Sequence, residues 1–157
     1  MTEKIRFGII GCGVISDTHQ SQIRDIDEAE LVAVADENPD KAKALADRAD
    51  ADWYVDYREL LKREDIDAVC ILTPSGSHKT ITLDAAKAGK HVICEKPIDT
   101  TLEKAYEMID ACKKANVKLS IISQHRFDSS TIEVKKAIDE DKFGKMILGQ
   151  AAVNWYR

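Results

Sequence analysis

The sequence lacks any apolar run near the length of a membrane span, and it lacks an excess of basic residues. Its 157 residues carry 23 Lys and Arg against 28 Asp and Glu, a formal net charge of −5. A bilayer span needs roughly 20 consecutive apolar residues, and nucleic-acid-binding domains usually carry a basic patch. These absences argue against membrane and nucleic-acid partners and favour a small molecule, which can include a nucleotide held by backbone groups.

The sequence also lacks a secretion signal and a cysteine framework. The uncharged stretch Phe7–Ser16 follows two basic residues, but it contains three glycines and no small-x-small cleavage site. No two cysteines have CxxC spacing, so neither a zinc site nor a disulfide framework is indicated. We therefore predict a reduced, cytoplasmic chain without a metal, whose four cysteines are Cys12, Cys70, Cys94 and Cys112.

Short apolar segments alternate with helical segments, with no low-complexity linker or internal repeat between them. Nearly continuous apolar runs of four to six residues are typical of parallel strands that are covered on both faces. Strand–helix–strand repetition predicts a doubly wound parallel α/β sheet of the Rossmann type over residues 1–124. The five predicted strands are Ile5–Ile10, Leu31–Ala35, Ala68–Leu72, His91–Cys94 and Leu119–Ser123.

Capping residues mark the helix boundaries between these strands. Three helices are predicted: one from Asn38-Pro39 to Ala49, one from near Ser77 to Ala88-Gly89, and one from a Thr100/Glu103 capping box to near Ala115.

The last 33 residues have a different pattern. We predict a helix from Ser129 to Asp141, a turn, and a long strand from Met146 to Tyr156. A terminal strand without a following partner would be an unprotected sheet edge. We therefore expect residues 125–157 to be a connecting helix and the first strand of a second, α+β domain that this chain does not contain.

A glycine pattern follows the first strand. Gly11-x-Gly13-x-x-Ser16 matches the dinucleotide fingerprint, with serine replacing the last glycine. Gly11 permits the tight turn, and Gly13 lets the backbone approach a pyrophosphate. Val14 and Ile15 then begin a helix whose N-terminal N–H groups favour phosphate. The loop predicts a dinucleotide cofactor.

An acidic pair, Asp36-Glu37, ends the second strand. A carboxylate at this point accepts hydrogen bonds from the hydroxyls of an adenosine ribose. It also repels a 2′-phosphate, and no basic residue follows before Lys41. NAD is therefore favoured over NADP. The alternative is that Asp36 is a solvated residue that caps the next helix.

Two further motifs follow later strands, Thr73-Pro74-Ser75-Gly76-Ser77-His78 and Glu95-Lys96-Pro97. With them the sequence resembles the Gfo/Idh/MocA oxidoreductases. The stretches that carry the resemblance are, in family order and spacing, FGIIGCGVIS, ADENPDKA, AVCILTPSGSH, AGKHVICEKPID and QHRFD. The resemblance implies an NAD-dependent dehydrogenase of sugars, cyclitols or nucleotide sugars, of which this chain matches the N-terminal half.

The resemblance implies that Lys96 is the catalytic lysine and that Pro97 shapes its loop. A lysine at the carboxyl end of a parallel strand points into the crevice where such sheets bind ligands, which agrees with that role. Its ammonium can polarise the reacting oxygen or relay a proton. The alternative is an ordinary surface lysine in a loop between a strand and a helix.

Other residues are implied as cofactor contacts. His78 has an alternative role as an exposed histidine, and Glu95 either binds the nicotinamide ribose or closes its strand. We assign His125 a supporting role only, because the acid/base histidine of this family normally comes from the second domain. The implied cofactor contacts besides Lys96 and Pro97 are Thr73, Pro74, Ser75, His78, Glu95, Gln124 and Arg126.

Family members continue into a β-rich half with the substrate pocket, an Asp-x-x-x-His pair and the oligomer interface. We therefore expect the full-length protein to be a homo-oligomer and this chain alone to be inactive. A non-catalytic dinucleotide sensor and a methyltransferase are the alternatives. Lys96 within the Glu-Lys-Pro motif favours the dehydrogenase, because a sensor needs no proton-transfer lysine.

Overall fold

The computed structural model describes residues 4–152 and residue 154. They form two units, divided between Ile122 and Ser123. The first unit contains a six-stranded, entirely parallel sheet in the order β3-β2-β1-β4-β5-β6. The strands are β1 Ile5–Ile10, β2 Ala29–Ala35, β3 Asp52–Tyr54, β4 Ala68–Ile71, β5 His91–Cys94 and β6 Leu119–Ile121.

Helices connect the strands and cover the sheet. Neighbouring strand residues point to opposite faces, so Ile9 and Ile10 enter two different apolar cores. This arrangement is the doubly wound fold that the apolar runs predict. The helices are α1 Ser16–Arg24, α2 Pro39–Ala49, α3 Tyr57–Leu61, α4 His78–Lys87 and α5 Leu102–Lys114, with α6 Ser129–Asp139 in the second unit.

All five predicted strands are confirmed, but β3 and α3 were not predicted. β3 is three residues long, two of them exposed, and within the described residues it pairs with β2 alone. α3 has five residues. Elements this short contain too few residues to produce a readable apolar period.

The helix caps are confirmed at two of three places. Asn38 accepts hydrogen bonds from the N–H groups of Asp40 and Lys41, and Gly89 follows α4 with a φ of +74°. The predicted Thr100 cap is wrong by one residue, since Thr101 is the N-cap of α5. The hydroxyl of Thr100 instead donates to Asp99.

The second unit contains α6, preceded by a 3-10 helix over Gln124–Phe127. The predicted strand Met146–Tyr156 is wrong for residues 146–152 and 154, which have no strand structure. A strand requires partners for its backbone N–H and C=O groups, and none of the described residues pairs with this segment. Val153, Trp155, Tyr156 and Arg157 lie outside the described residues, and the assignment of 125–157 to a second domain stays a prediction. Within the described ranges, no helix has both the length and the apolar character that crossing a bilayer requires.

Candidate dinucleotide site

A cleft of about 900 Å³ opens where β1, β2 and β4 end. The carboxyl ends of parallel strands are where open α/β sheets bind ligands. Six of the predicted cofactor residues line this cleft together, namely Gly11, Gly13, Asp36, Glu37, Thr73 and Pro74.

Gly11 is required by the fold itself. Its φ is +99°, and a Cβ at this position would lie 2.8–2.9 Å from the backbone of Leu72 and Thr73. Its N–H donates to the carbonyl of Ala35 at 2.8 Å. The turn therefore packs directly against the end of β4, which leaves no room for a side chain.

Gly13 has the opposite surroundings. A Cβ there would meet no protein atom within 4 Å, so the missing side chain leaves open space in the cleft. No described residue accepts a hydrogen bond from the N–H groups of Gly13, Val14 or Ile15. Buried Ser16 donates to the carbonyl of Gly13 at 2.6 Å and fixes the loop. Free N–H groups and open space above a helix N-terminus fit a pyrophosphate.

Asp36 is held by hydrogen bonds to both of its carboxylate oxygens. Oδ2 accepts from the N–H of Cys12 at 2.7 Å, and Oδ1 accepts from the N–H of Asn38 at 2.8 Å. Asp36 thus holds the backbone just before α2 and also lines the cleft, whereas the N-cap of α2 is Asn38. The interpretation of Asp36 as the cap of α2 is therefore wrong, and its assignment to the ribose stays a prediction. Each oxygen keeps a lone pair for a ribose hydroxyl. Burial, followed by the nearby Asp36 carboxylate, raises the pKa of Cys12 to about 12.

The loop after β4 forms another wall of the cleft. The hydroxyl of Ser77 donates to the carbonyl of Pro74 at 2.7 Å, and its oxygen lies 2.8 Å from Oγ1 of Thr73, whose hydroxyl can donate to it. Ser75 begins the single 3-10 turn that follows Pro74. These bonds fix the loop beside the glycine turn.

Three charged or aromatic residues of the cleft were not predicted as cofactor contacts. Lys41, Tyr57 and Arg58 line the side near Asp36 and Glu37. The guanidinium of Arg58 lies 4.6 Å above the ring of Tyr57 and pairs at 3.5 Å with carboxylates on either side, those of Asp56 and Asp84. Burial and a hydrogen bond to Asp84 raise the pKa of Tyr57 to about 12. No sequence signal indicated Tyr57 or Arg58, because α3 was not predicted.

Lys96 lies two residues beyond the end of β5. Its side chain is exposed, and the Lys96–Pro97 peptide bond is cis. The N–H of Lys96 donates to Oε2 of Glu95 at 3.1 Å. Oε1 of the same carboxylate lies 3.1 Å from Nε2 of His19 in α1. His19 was missed in the sequence, although its spacing from Ser16 and Ile23 fits the buried face of α1.

His78 is 1% exposed, so the interpretation of it as an exposed histidine is wrong. Its ring lies between the carbonyl oxygens of Thr73 and Pro97, at 2.8 Å from Nε2 and 3.0 Å from Nδ1. His78 therefore joins the loop after β4 to the Lys96 loop.

Gln124, His125 and Arg126 lie in the second unit. Nδ1 of His125 is 2.8 Å from Oδ2 of Asp128, and both side chains are exposed. The assignment of Gln124 and Arg126 to the cofactor stays a prediction.

A family model described as an oxidoreductase family with an NAD-binding Rossmann fold, GFO_IDH_MocA, matches residues 5–123. The chain belongs to this family. It is 33% identical over 142 residues to the myo-inositol 2-dehydrogenase of Thermotoga maritima, which covers 90% of the chain and 42% of the relative. It is 32% identical over 151 residues to the D-apiose dehydrogenase of Paraburkholderia graminis, with 96% and 40% covered.

A solved structure agrees with these matches. The crystal structure of the WlbA dehydrogenase from Bordetella pertussis, in complex with NADH and UDP-GlcNAcA, superimposes with a TM-score of 0.88 at 38% identity. The match covers 90% of this chain and 44% of that one. The chain thus spans less than half the length of each of these three proteins, and it carries the NAD-binding domain of the family.

Proposed function

We propose that this chain holds NAD in a dehydrogenase of a sugar, cyclitol or nucleotide sugar, with Lys96 as its catalytic residue. One observation carries the proposal. The glycine loop, Asp36 and Thr73 meet at one cleft, and the loop of Lys96, which follows the adjacent strand β5, is joined to Thr73 through His78.

The two ends of the cleft suit two parts of the cofactor. The free N–H groups of Gly13, Val14 and Ile15 would hold the pyrophosphate. Asp36, with Glu37 beside it, would accept from the ribose hydroxyls and repel a 2′-phosphate. Preference for NAD over NADP is therefore part of the proposal. The positive charges of Lys41 and Arg58 act against this preference, because they would attract a 2′-phosphate. Arg58, however, already forms ion pairs with Asp56 and Asp84.

The remaining assignments are proposed contacts of the cofactor and its nicotinamide side. They are Thr73, Pro74, Ser75, His78, Glu95, Lys96, Pro97, Gln124 and Arg126.

The nicotinamide, when bound, supplies or accepts a hydride. Lys96 would donate a hydrogen bond from its ammonium to the oxygen on the reacting carbon, or carry the proton of that oxygen. Its exposed side chain leaves the ammonium free to reach a substrate. The substrate class is supported by the relatives, which are named for inositol and apiose oxidation or hold a nucleotide sugar.

The test is Lys96→Ala in the protein that contains this chain, assayed with NAD and a panel of sugars, cyclitols and nucleotide sugars. We expect turnover to fall by about 10²–10⁴-fold, the usual effect of losing an acid/base group. NAD affinity should change little. Lys87→Ala, which removes an exposed lysine in α4, is the matched control. Unchanged turnover would remove Lys96 from the mechanism, and NAD binding without turnover on any substrate would favour the sensor.

A cytoplasmic location and a homo-oligomeric state are also proposed. The four cysteines are free and buried, which supports a reducing compartment. The oligomeric state and the absence of a nucleic-acid partner are supported by the family resemblance and by the net charge of −5.

A further inference from the structure

The segment Glu95–Pro97 is contacted by two buried histidines from two different elements. His19 lies on α1, directly after the glycine loop, and His78 is the first residue of α4. Their exposed fractions are 9% and 1%. Buried imidazoles need hydrogen-bond partners, so the identity of those partners indicates what each ring does.

His19 acts on Lys96 through one carboxylate. The side chains of His19 and Glu95 are 10% and 12% exposed, and Nε2 lies 3.1 Å from Oε1. The other oxygen of Glu95 accepts the backbone N–H of Lys96 at 3.1 Å. A single carboxylate therefore links the helix of the glycine loop to the backbone of Lys96.

His78 acts on the other side of Lys96 through the carbonyl of Pro97. Its second ring nitrogen faces the carbonyl of Thr73, a residue of the cleft wall. A neutral imidazole donates its one N–H to one of these carbonyls, and an imidazolium donates to both. The ring thus fills the space between the two loops and ties them together.

Both ring nitrogens of His78 and Nε2 of His19 face protein groups, so these three atoms already have hydrogen-bond partners. Lys96 itself has an exposed side chain, so the direction of its ammonium depends on how firmly its backbone is held. Misplacement of a catalytic group by about 1 Å can cost 10²-fold in rate.

We propose that His19 and His78 are positioning residues that brace the Lys96 loop against the two cofactor-binding elements of the cleft. The inference rests on the proposed role of Lys96. It adds that binding at the glycine loop and at Thr73 is mechanically coupled to the orientation of Lys96.

The variants His19→Leu and His78→Leu remove one brace each, and His19→Gln restores a donor to Glu95. His91→Leu is the matched control, because His91 begins the same strand β5 at its other end and its Nδ1 accepts only the N–H of Lys118. Amide hydrogen exchange of Lys96 in the 157-residue chain reports the brace directly, and exchange of Val92 in the centre of β5 reports whether the sheet is intact.

We expect His19→Leu to speed exchange of the Lys96 amide by about 10-fold, as loss of one supported hydrogen bond predicts. Exchange at Val92 should stay unchanged. In the protein that contains this chain, His19→Leu and His78→Leu should each lower kcat by about 10–100-fold, and His19→Leu should leave the KM for NAD within about threefold. His19→Gln should recover most of kcat. If His78→Leu does not fold, Glu95→Gln with His19→Leu in a double-mutant cycle supplies the second measurement.

The proposal would be overturned if the Lys96 amide exchanged as slowly in His19→Leu as in His91→Leu. It would also be overturned if His19→Leu and His78→Leu had the same kcat as His91→Leu. The proposed function fails differently: Lys96→Ala then keeps its turnover while the exchange results stand.

Discussion

The backbone N–H of Cys12 donates a 2.7 Å hydrogen bond to Oδ2 of Asp36. This bond joins the glycine loop to the end of β2, so the residues proposed for the pyrophosphate and for the ribose are fixed relative to each other by the protein itself. Such preorganisation lowers the entropy cost of binding. The cleft is therefore a formed site rather than one that the ligand must assemble.

The two glycines of the loop should respond differently to the same substitution. Gly11→Ala forces a Cβ into the backbone of Leu72 at a positive φ, which should cost about 2 kcal/mol or more of unfolding free energy. Gly13→Ala meets only open space and should leave stability within about 0.5 kcal/mol. It should nevertheless weaken NAD binding by about 10–100-fold, because the methyl group occupies the space for the pyrophosphate.

Urea unfolding and calorimetry with NAD measure the two effects separately. Gly149→Ala serves as a control for the substitution, since a Cβ there also meets nothing within 4 Å. If Gly13→Ala binds NAD as tightly as the native chain, the pyrophosphate does not lie at this loop.

The chain should bind NAD more tightly than NADP. Asp36→Ala should narrow the ratio of the two affinities by about 10-fold or more, because the like charge that opposes the 2′-phosphate is gone. Asp36→Asn should also narrow the ratio of the two affinities, while its amide oxygen can still accept the hydrogen bond from the N–H of Cys12. Calorimetry with both dinucleotides gives the ratio.

Asp40→Ala is the matched control, because it removes an acidic residue from the first turn of α2. It should leave the ratio unchanged. Equal or tighter binding of NADP by the native chain would contradict the assignment of Asp36.

Most of the fold could be predicted because the sheet is buried on both faces. β1, β4 and β5 are nearly continuous apolar runs, and their residues are read without ambiguity. The segment from Met146 was misread for the same reason. Its apolar letters resemble a strand, but a strand also needs a partner, which no local pattern can supply.

The site could be predicted only where a motif carries it. Gly11, Gly13 and Asp36 are recognisable by their spacing, and the structure brings them to one cleft. Arg58 and His19 become visible only in three dimensions, because their partners lie 26 and 76 residues away in sequence, at Asp84 and Glu95.

Asp99 should make the stability of the chain depend on pH below 4. Burial alone raises its pKa, but hydrogen bonds from the N–H groups of Thr100 and Lys79, from the Thr100 hydroxyl and from Lys104 outweigh that effect, and the pKa falls from 3.8 to about 2. A carboxyl group whose pKa is lower in the folded state stabilises the fold at pH values above its unfolded-state pKa. This stabilisation is lost as the pH falls through the folded-state pKa. The contribution at neutral pH is roughly 2 kcal/mol.

Urea unfolding at pH 7 and pH 2 tests this expectation. Asp99→Asn should have a lower free energy of unfolding than the native chain at pH 7. The difference in unfolding free energy between the two should become smaller toward pH 2. The exposed Asp110 of α5 provides the control variant Asp110→Asn, which should show no such trend. A difference that is the same at both pH values would show that the charge of Asp99 contributes nothing.

The most direct measurement is an NMR titration of the ¹⁵N-labelled chain with NAD. We expect the largest amide shifts at Gly13, Val14 and Ile15, with further shifts at Asp36 and Thr73 and none at the amino end of β5 near His91. Saturable binding with its largest shifts outside this cleft, or no binding at millimolar NAD, would contradict this expectation.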